Sequence, residues 1–336
     1  MSYTEFRDGY KKEAVGAEGT SVITAVGDAT SVFGAVSDES DHPSPVAITK
    51  YTATGVNTKE VGAGLMWKSH YIVMGMYGIV MQNGIPLWAV MGKSVTVDAA
   101  PLYTHTITPT TDGSAIPSFT INHEQKGSAT DEEYQFMGCK FDSLALVYDM
   151  QSAPFLMANV EVRGLGAQDG IALTNDPILP ATANTDVYTN LTRMWDVGGT
   201  NISIDGLQRI EINIANGLRP IYGHTYDTGV YTGMWPYQLL EAQRKEYKVS
   251  MLLHPNTIER EMWDSLIAKE TAITSTFTWT RSADDYIAVT VIGPVVTHQK
   301  KTPKAGETLL EQVVIEPYSM SIVVKDSIAG VTNYGE

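Results

Sequence analysis

Cysteine is almost missing from this chain: Cys139 is the single one in 336 residues. One thiol excludes an intrachain disulfide and any metal site built from several cysteines. Charge is scarce as well. Asp, Glu, Lys and Arg make up 18% of the residues, below the quarter or so usual in globular domains, whereas disordered chains run the other way. Bases are outnumbered, 23 Lys+Arg against 38 Asp+Glu, giving a formal net charge of -15. A surface that acidic repels phosphate, which argues against tight binding to nucleic acid or to an anionic membrane. It does not exclude a protein that lies beside nucleic acid and must not stick to it. The opening residues, MSYTEFRDGYKKEAVG, lack the apolar core of a signal peptide, so secretion by that route is not expected. The glycosylation-type triplets Asn190-Leu191-Thr192 and Asn201-Ile202-Ser203 accordingly read as chance.

An uncharged apolar run does extend from Tyr71 to Gly92, long enough to cross a bilayer. Gln82-Asn83-Gly84 followed by Pro86 interrupts it with turn chemistry. The run therefore reads as a buried strand over 69–81, a turn and a short helix over about Ile85–Met91.

The hydrophobic share, 43%, is ample for a core, and its spacing is that of strands. Ile202, Ile204, Ile210, Ile212 and Ile214 share one parity, so Asn201–Ala215 reads as a half-buried strand bent at Gly206. Tyr247, Val249, Met251 and Leu253 alternate with polar residues in a second strand. Further strands are expected at 46–54, 273–280, 286–297, 308–315 and 318–325. Hairpins are expected between 103–108 and 118–122 and between 134–148 and 155–163. A helix is expected from Asn256, with Glu259 completing a capping box and Ile258, Met262, Trp263, Leu266 and Ile267 forming its apolar stripe. The expected organisation is an N-terminal arm over 1–45, a first β domain over 46–165, a linker over 166–200, a second β domain over 201–326 and a tail over 327–336. The order strand, loop, strand, helix, hairpin, hairpin occurs in both domains, the pattern of an internal duplication. The Gly- and Tyr-rich stretch 217–243 is too long for a plain connection and reads as a functional loop.

No catalytic motif emerges. The seven histidines lie apart from one another at spacings that no zinc site uses. Cys139 sits in an apolar strand pattern and reads as an inert buried thiol. Asp284-Asp285 falls in a hairpin turn and Glu132-Glu133 in a polar loop, with no sign that carboxylates converge on a pocket. Gly62-Ala63-Gly64 is too short for a phosphate loop, and a G-x-S-x-G elbow is lacking. The expectation is a protein that is no enzyme, with no catalytic, cofactor-binding or metal-binding residues and no cofactor. Such a mostly-β chain suits a structural protein whose sheet edges complete those of its neighbours. The alternative is a carbohydrate-binding or adhesive β-sandwich module, with Tyr226, Tyr231 and Trp235 as its aromatic platform.

Three segments carry a resemblance. Tyr103-Thr-His-Thr-Ile-Thr-Pro109, Ile116-Pro-Ser-Phe-Thr-Ile121 and Tyr134-Gln-Phe-Met-Gly-Cys-Lys-Phe-Asp-Ser-Leu-Ala-Leu146 look like the serial motifs of the major tail tube proteins of long-tailed, siphovirus-like bacteriophages and related tailed viruses. Ile202–Leu207, Ile212–Asn216 and Glu246–Ser250 follow in the family's order, while the 163–200 linker and the 217–243 loop are longer than its pattern. The resemblance implies tandem tail-tube-type β-sandwich domains, each with a flanking helix and a long hairpin or loop, in a ring lined by a β-barrel. It implies stacked homo-oligomeric rings that conduct the viral genome during ejection. For a chain with two tube domains it favours a trimer over a hexamer. It further implies a tape measure protein as partner during assembly, contacts with tail terminator and distal tail proteins, and double-stranded DNA passing through the lumen without specific binding. No membrane is involved; the location implied is the virion tail, after assembly in the host cytoplasm. Deletion of residues 1–40 is expected to leave folded protein that cannot grow tubes.

Overall fold

In a computed structural model the described residues are 3–24, 33, 35–36, 41–54, 65–97, 101–110, 116–127, 131–170, 187–197, 200–203, 206–222, 235–241, 245–254, 272–301 and 310–328. The first half carries β1 (Tyr3–Lys12), β2 (Ala35–Val36), β3 (Asp41–Thr54), β4 (Leu65–Val80), α1 (Ile85–Met91), β5 (Gly92–Val97), β6 (Tyr103–Pro109), β7 (Phe119–Gly127), β8 (Glu132–Asp149), β9 (Ala153–Gly164) and β10 (Gly166–Asp169). The second carries β11 (Asn190–Val197), β12 (Thr200–Ser203), β13 (Leu207–Ala215), β14 (Arg219–Ile221), β15 (Gln238–Leu240), β16 (Glu246–Leu253), β17 (Ala272–Ser282), β18 (Asp285–Lys301), β19 (Leu310–Ile315) and β20 (Ser319–Asp326). Every strand pairing described is antiparallel.

One long sheet runs β3–β4–β9–β8–β13–β16–β19–β18. Strand side chains alternate between faces, and here one face supplies the core. Leu144 and Leu146, Val160 and Val162, Ile210, Ile212 and Ile214, and Val249 and Met251 are all buried on it. Two shorter sheets cover that face. One is β1–β7–β8–β10; the other is β12–β11–β17–β18–β20–β6–β5. β8 and β18 thus begin in an outer sheet and end in the long one. Each makes the passage with a bulge, at Phe141/Ser143 in β8 and at Val295/Thr297 in β18, the usual device for turning a strand from one sheet to another.

The two halves use one pairing scheme. β4–β9–β8 matches β16–β19–β18, with β3 on β4 and β13 on β16. In the outer sheets β1 on β7 matches β11 on β17, and β10 on β8 matches β20 on β18. The turns match too: Leu165 donates its N–H to Met137 O at 2.8 Å, and Tyr318 donates its N–H to Ile292 O at 3.0 Å. Among the described residues two pairings join the halves, β8–β13 in the long sheet and β6–β20 in an outer one.

α1 follows the turn read from the sequence. Asn83 Oδ1 accepts the Ile85 N–H, Pro86 lies in the first turn and Gly92 closes the helix in a left-handed conformation at φ 99°, the arrangement typical of helix starts and stops. All seven of its residues are buried. Beside it Phe33 stacks on Tyr10, with ring centroids 3.9 Å apart, and meets Phe119 and Phe141 edge-on.

Several expectations need revision. β6 and β7 do not pair with each other; β6 pairs with β5 and β20, and β7 with β1 and β8. Asn201–Ala215 is two strands rather than one bent strand, split at Gly206 (φ 74°) so that β12 and β13 enter different sheets. β1 lies in the stretch read as an arm, and β10 and β11 lie in the stretch read as a linker. The helix read at 256–269 lies outside the described residues.

Candidate assembly surfaces

The residues with chemical potential are absorbed by the fold. Cys139 is fully buried opposite Phe119, and burial pushes its thiol well above the ordinary range. His105 meets Asp326 at 3.1 Å, His123 meets Asp8 at 2.5 Å and His298 meets Glu311 at 2.8 Å, each pair fastening one strand to another. Asp285 holds the Arg281 guanidinium at 2.9 Å and accepts the Tyr188 hydroxyl, while Asp284 pairs with Lys325 at 2.7 Å. Glu132 accepts the Tyr134 hydroxyl. Among the described residues, no group of three His, Cys, Asp or Glu side chains could hold a metal ion. Of the aromatic platform, Trp235 packs against Tyr71 at 5.6 Å between centroids; Tyr226 and Tyr231 lie outside the described residues, as does Gly62-Ala63-Gly64.

The surfaces that remain belong to the long sheet. Its second face is polar and built of modest side chains. Across it, Met157, Val147, Glu211 and Ser250 form one row, and Asn159, Ala145, Asn213 and Lys248 the next. Charges on this face are largely matched: Arg209 pairs with Glu211 at 3.2 Å, and Arg163 with Glu161 at 3.1 Å. The sheet also has two open edges among the described residues. β3 is paired only along β4, and the C-terminal part of β18 only along β19. Open edges present unpaired backbone donors and acceptors that take up another strand. On β3, Pro43 and Pro45 remove two donors, which limits indiscriminate pairing.

Between the edges lies the β8–β13 junction, a seam joining the halves within one chain. Ser143 faces Ala215, Ala145 faces Asn213 and Val147 faces Glu211 across it. Beyond the seam, the connection from β13 to β16 folds back over the first half. Asn216 donates its N–H to Asp142 O at 2.7 Å, and its side-chain amide to Val90 O and Phe141 O. Asp142 also accepts the Leu218 N–H at 2.6 Å and pairs with Arg163 at 2.8 Å. Burial raises the Asp142 carboxyl above its ordinary range, against the Leu218 N–H and the Arg163 charge. Leu218 and Leu239 pack with Ile72, Ile116 and Leu165. Glu241 accepts the Ile116 N–H at 2.9 Å. Lys245 reaches Val90 O and Asn216 Oδ1, and burial lowers its ammonium to about 8, with Glu241 opposing the shift. The clasp could not be found by a motif search, since its partners come from opposite halves of the chain.

Comparison with known proteins agrees with the reading of a structural protein. A family model described as phage tail tube protein matches residues 25–316. None of the curated proteins compared matches the chain. Among solved structures, a chain from the tail of an empty GTA particle, computed with helical refinement in C6 symmetry, is similar over 38% of this chain and 91% of its own, at 10% identity and a TM-score of 0.29.

Proposed function

The chain belongs to the phage tail tube protein family and is a structural subunit of the virion tail, and on that premise we propose that it closes into rings by joining β18 of one copy to β3 of the next. The observation that carries this is the β8–β13 seam. β18 stands in the second half where β8 stands in the first, and β3 stands where β13 does. The two open edges are therefore counterparts of two strands that already pair. Matching bulges fix the register: Thr297 takes the place of Ser143, and Val46 that of Ala215, so these two would face each other across the junction.

In this reading the chain is a tandem duplication, with a first unit over about 46–165 and a second over about 201–326. Three copies complete a ring with six equivalent units. The polar face of the long sheet lines the lumen. Its paired charges and modest side chains offer a phosphate backbone little to grip, since Arg163 and Arg209 are held by Glu161 and Glu211. Stacked rings would surround a tape measure protein during assembly in the host cytoplasm, end at terminator and distal tail proteins, and pass double-stranded DNA without specific binding. The tail is of the non-contractile, siphovirus-like kind, and the subunit works without catalysis.

The test is a pair of cysteines, Val46→Cys with Thr297→Cys, in a chain whose native thiol is buried and silent. Oxidation of assembled material should give crosslinked species ending at a trimer on a non-reducing gel. A ladder ending at a hexamer would replace the threefold ring by a sixfold one. Tubes that form without any crosslink would overturn the β18–β3 junction.

A further inference from the structure

Asn216 and Lys245 stand at the two ends of the connection from β13 to β16. Ala215 faces Glu246 at the last paired position of those strands, so Asn216 and Lys245 are the next residues beyond it, one on each chain segment. Their side chains meet: Lys245 Nζ donates to Asn216 Oδ1 and, at 3.0 Å, to Val90 O. The buried Asn216 amide is oriented by chemistry. Its nitrogen donates to Val90 O at 3.0 Å and to Phe141 O at 2.7 Å. Carbonyls only accept, so the NH2 group must point to them and the amide oxygen to Lys245.

The surroundings make the lysine a nucleophile. Burial lowers its ammonium to about 8, with Lys140 pushing the same way and Glu241 opposing. Near pH 8 half of the chains therefore hold a neutral amine against a carboxamide, and desolvation is a general way of activating a lysine nitrogen. The neighbouring Asp142 carboxylate is engaged by the Leu218 N–H and by Arg163. Glu241 accepts the Ile116 N–H at 2.9 Å and lies 3.4 Å from Lys140 Nζ. Of the two carboxylates, Glu241 is the one that acts on Lys245.

We propose that Lys245 and Asn216 join in an intramolecular isopeptide bond, which welds the two ends of the clasp beside the seam between the halves. The neutral Nζ moves from Oδ1 onto the face of the amide and attacks Cγ. The Nζ–Cγ bond forms and the Cγ–Nδ2 bond breaks. The proton that Nζ gives up passes by way of Glu241 to the departing nitrogen, which leaves as ammonia. The exchange of one amide for another needs no oxidant, reductant or further reactant. Holding amine and amide in contact supplies the encounter that separate molecules make rarely. The bond is independent of the β18–β3 junction and of the symmetry of the ring.

The experiment weighs the full chain by intact mass spectrometry, freshly purified and after incubation at neutral and at mildly alkaline pH, and then maps its peptides. Asn216 precedes Gly217, so the amide could instead close on the backbone as a succinimide with the same loss of ammonia; the peptide map separates the two. The expected result is a chain lighter by one ammonia, formed faster at alkaline pH, with a branched peptide joining Asn216 to Lys245. K245M and K245R, which lack the amine, should keep the full mass. Full mass in the parent after alkaline incubation, with both peptides recovered unbranched, would overturn the bond. So would a loss of ammonia that persists in K245M. The parent's own peptides decide the question, whether or not either variant folds.

Discussion

His105 Nε2 lies 3.1 Å from Asp326 Oδ1, and both side chains are fully buried, although one belongs to the first half of the chain and the other to its last strand. Thr96 is 2.7 Å from His105 Nδ1, and Asp326 also accepts the Ile328 N–H at 2.8 Å. Both ring nitrogens are engaged, Nε2 by Asp326 and Nδ1 by Thr96. The pair thus pins β6, β5 and β20 at the outer link between the halves. His105→Ala leaves a buried carboxylate short of a donor, which costs about 2–4 kcal/mol. Denaturant unfolding of H105A, D326A and the double variant should show a coupling of about 1–3 kcal/mol. Additive losses would mean that the two side chains act independently.

Gly138 marks where β8 starts its passage between sheets. Its φ is 63°, and a Cβ placed there would sit 2.6 Å from Leu165, so Gly138→Ala meets both backbone strain and a clash. Gly16 has φ 81° with open space around it. G138A should lose at least about 2 kcal/mol of stability, whereas G16A should lose about 1 kcal/mol from conformation alone. Equal losses in thermal unfolding would show that the Leu165 contact yields easily.

Lys245 carries a pH dependence of definite sign. Its folded value of about 8 lies below the ordinary 10.5, chiefly through burial. Between those values the unfolded chain binds the proton and the folded one releases it, so stability rises with pH through that window. The whole effect is on the order of 3 kcal/mol. In chains whose Lys245 is not yet joined to Asn216, the stability difference between the parent and K245M should move in the parent's favour from pH 8 to 10.5. A flat difference would mean that the ammonium is solvated.

What could be read from the chain was set by where the burial signal lies. Ile210, Ile212 and Ile214 alternate because one face of β13 is core, and α1 was legible from Asn83, Pro86 and its apolar run. β5 was missed because its exposed residues, Lys93, Val95 and Val97, carry the larger side chains, while its less exposed positions are Gly92, Ser94 and Thr96. β6 was assigned to β7, its neighbour in sequence, whereas its partner β20 is near the other end of the chain. The family was legible from short motifs, but the clasp depends on contacts between residues far apart in the chain, such as Asn216 with Asp142 and Glu241 with Ile116.

The N-terminal stretch is the sharpest case. Its Gly, Ser and Asp content reads as an arm, and a chain lacking residues 1–40 would then fold. In the structure β1 pairs along β7 from Tyr3 to Lys12. Glu13 is buried and accepts from the Thr120 hydroxyl and the Gly138 and Gly19 N–H groups at 2.8–3.0 Å. Tyr10 and Phe33 fill the space against Phe119 and Phe141. Truncation would remove two core aromatics and leave the donors of Thr120 and Gly138 without their carboxylate. Phe33→Ala alone should cost about 3–5 kcal/mol, and deletion of 1–40 should cost more, giving protein that aggregates or melts far below the parent. A truncated chain with the parent's melting temperature that merely fails to form tubes would restore the reading of this segment as a detached arm.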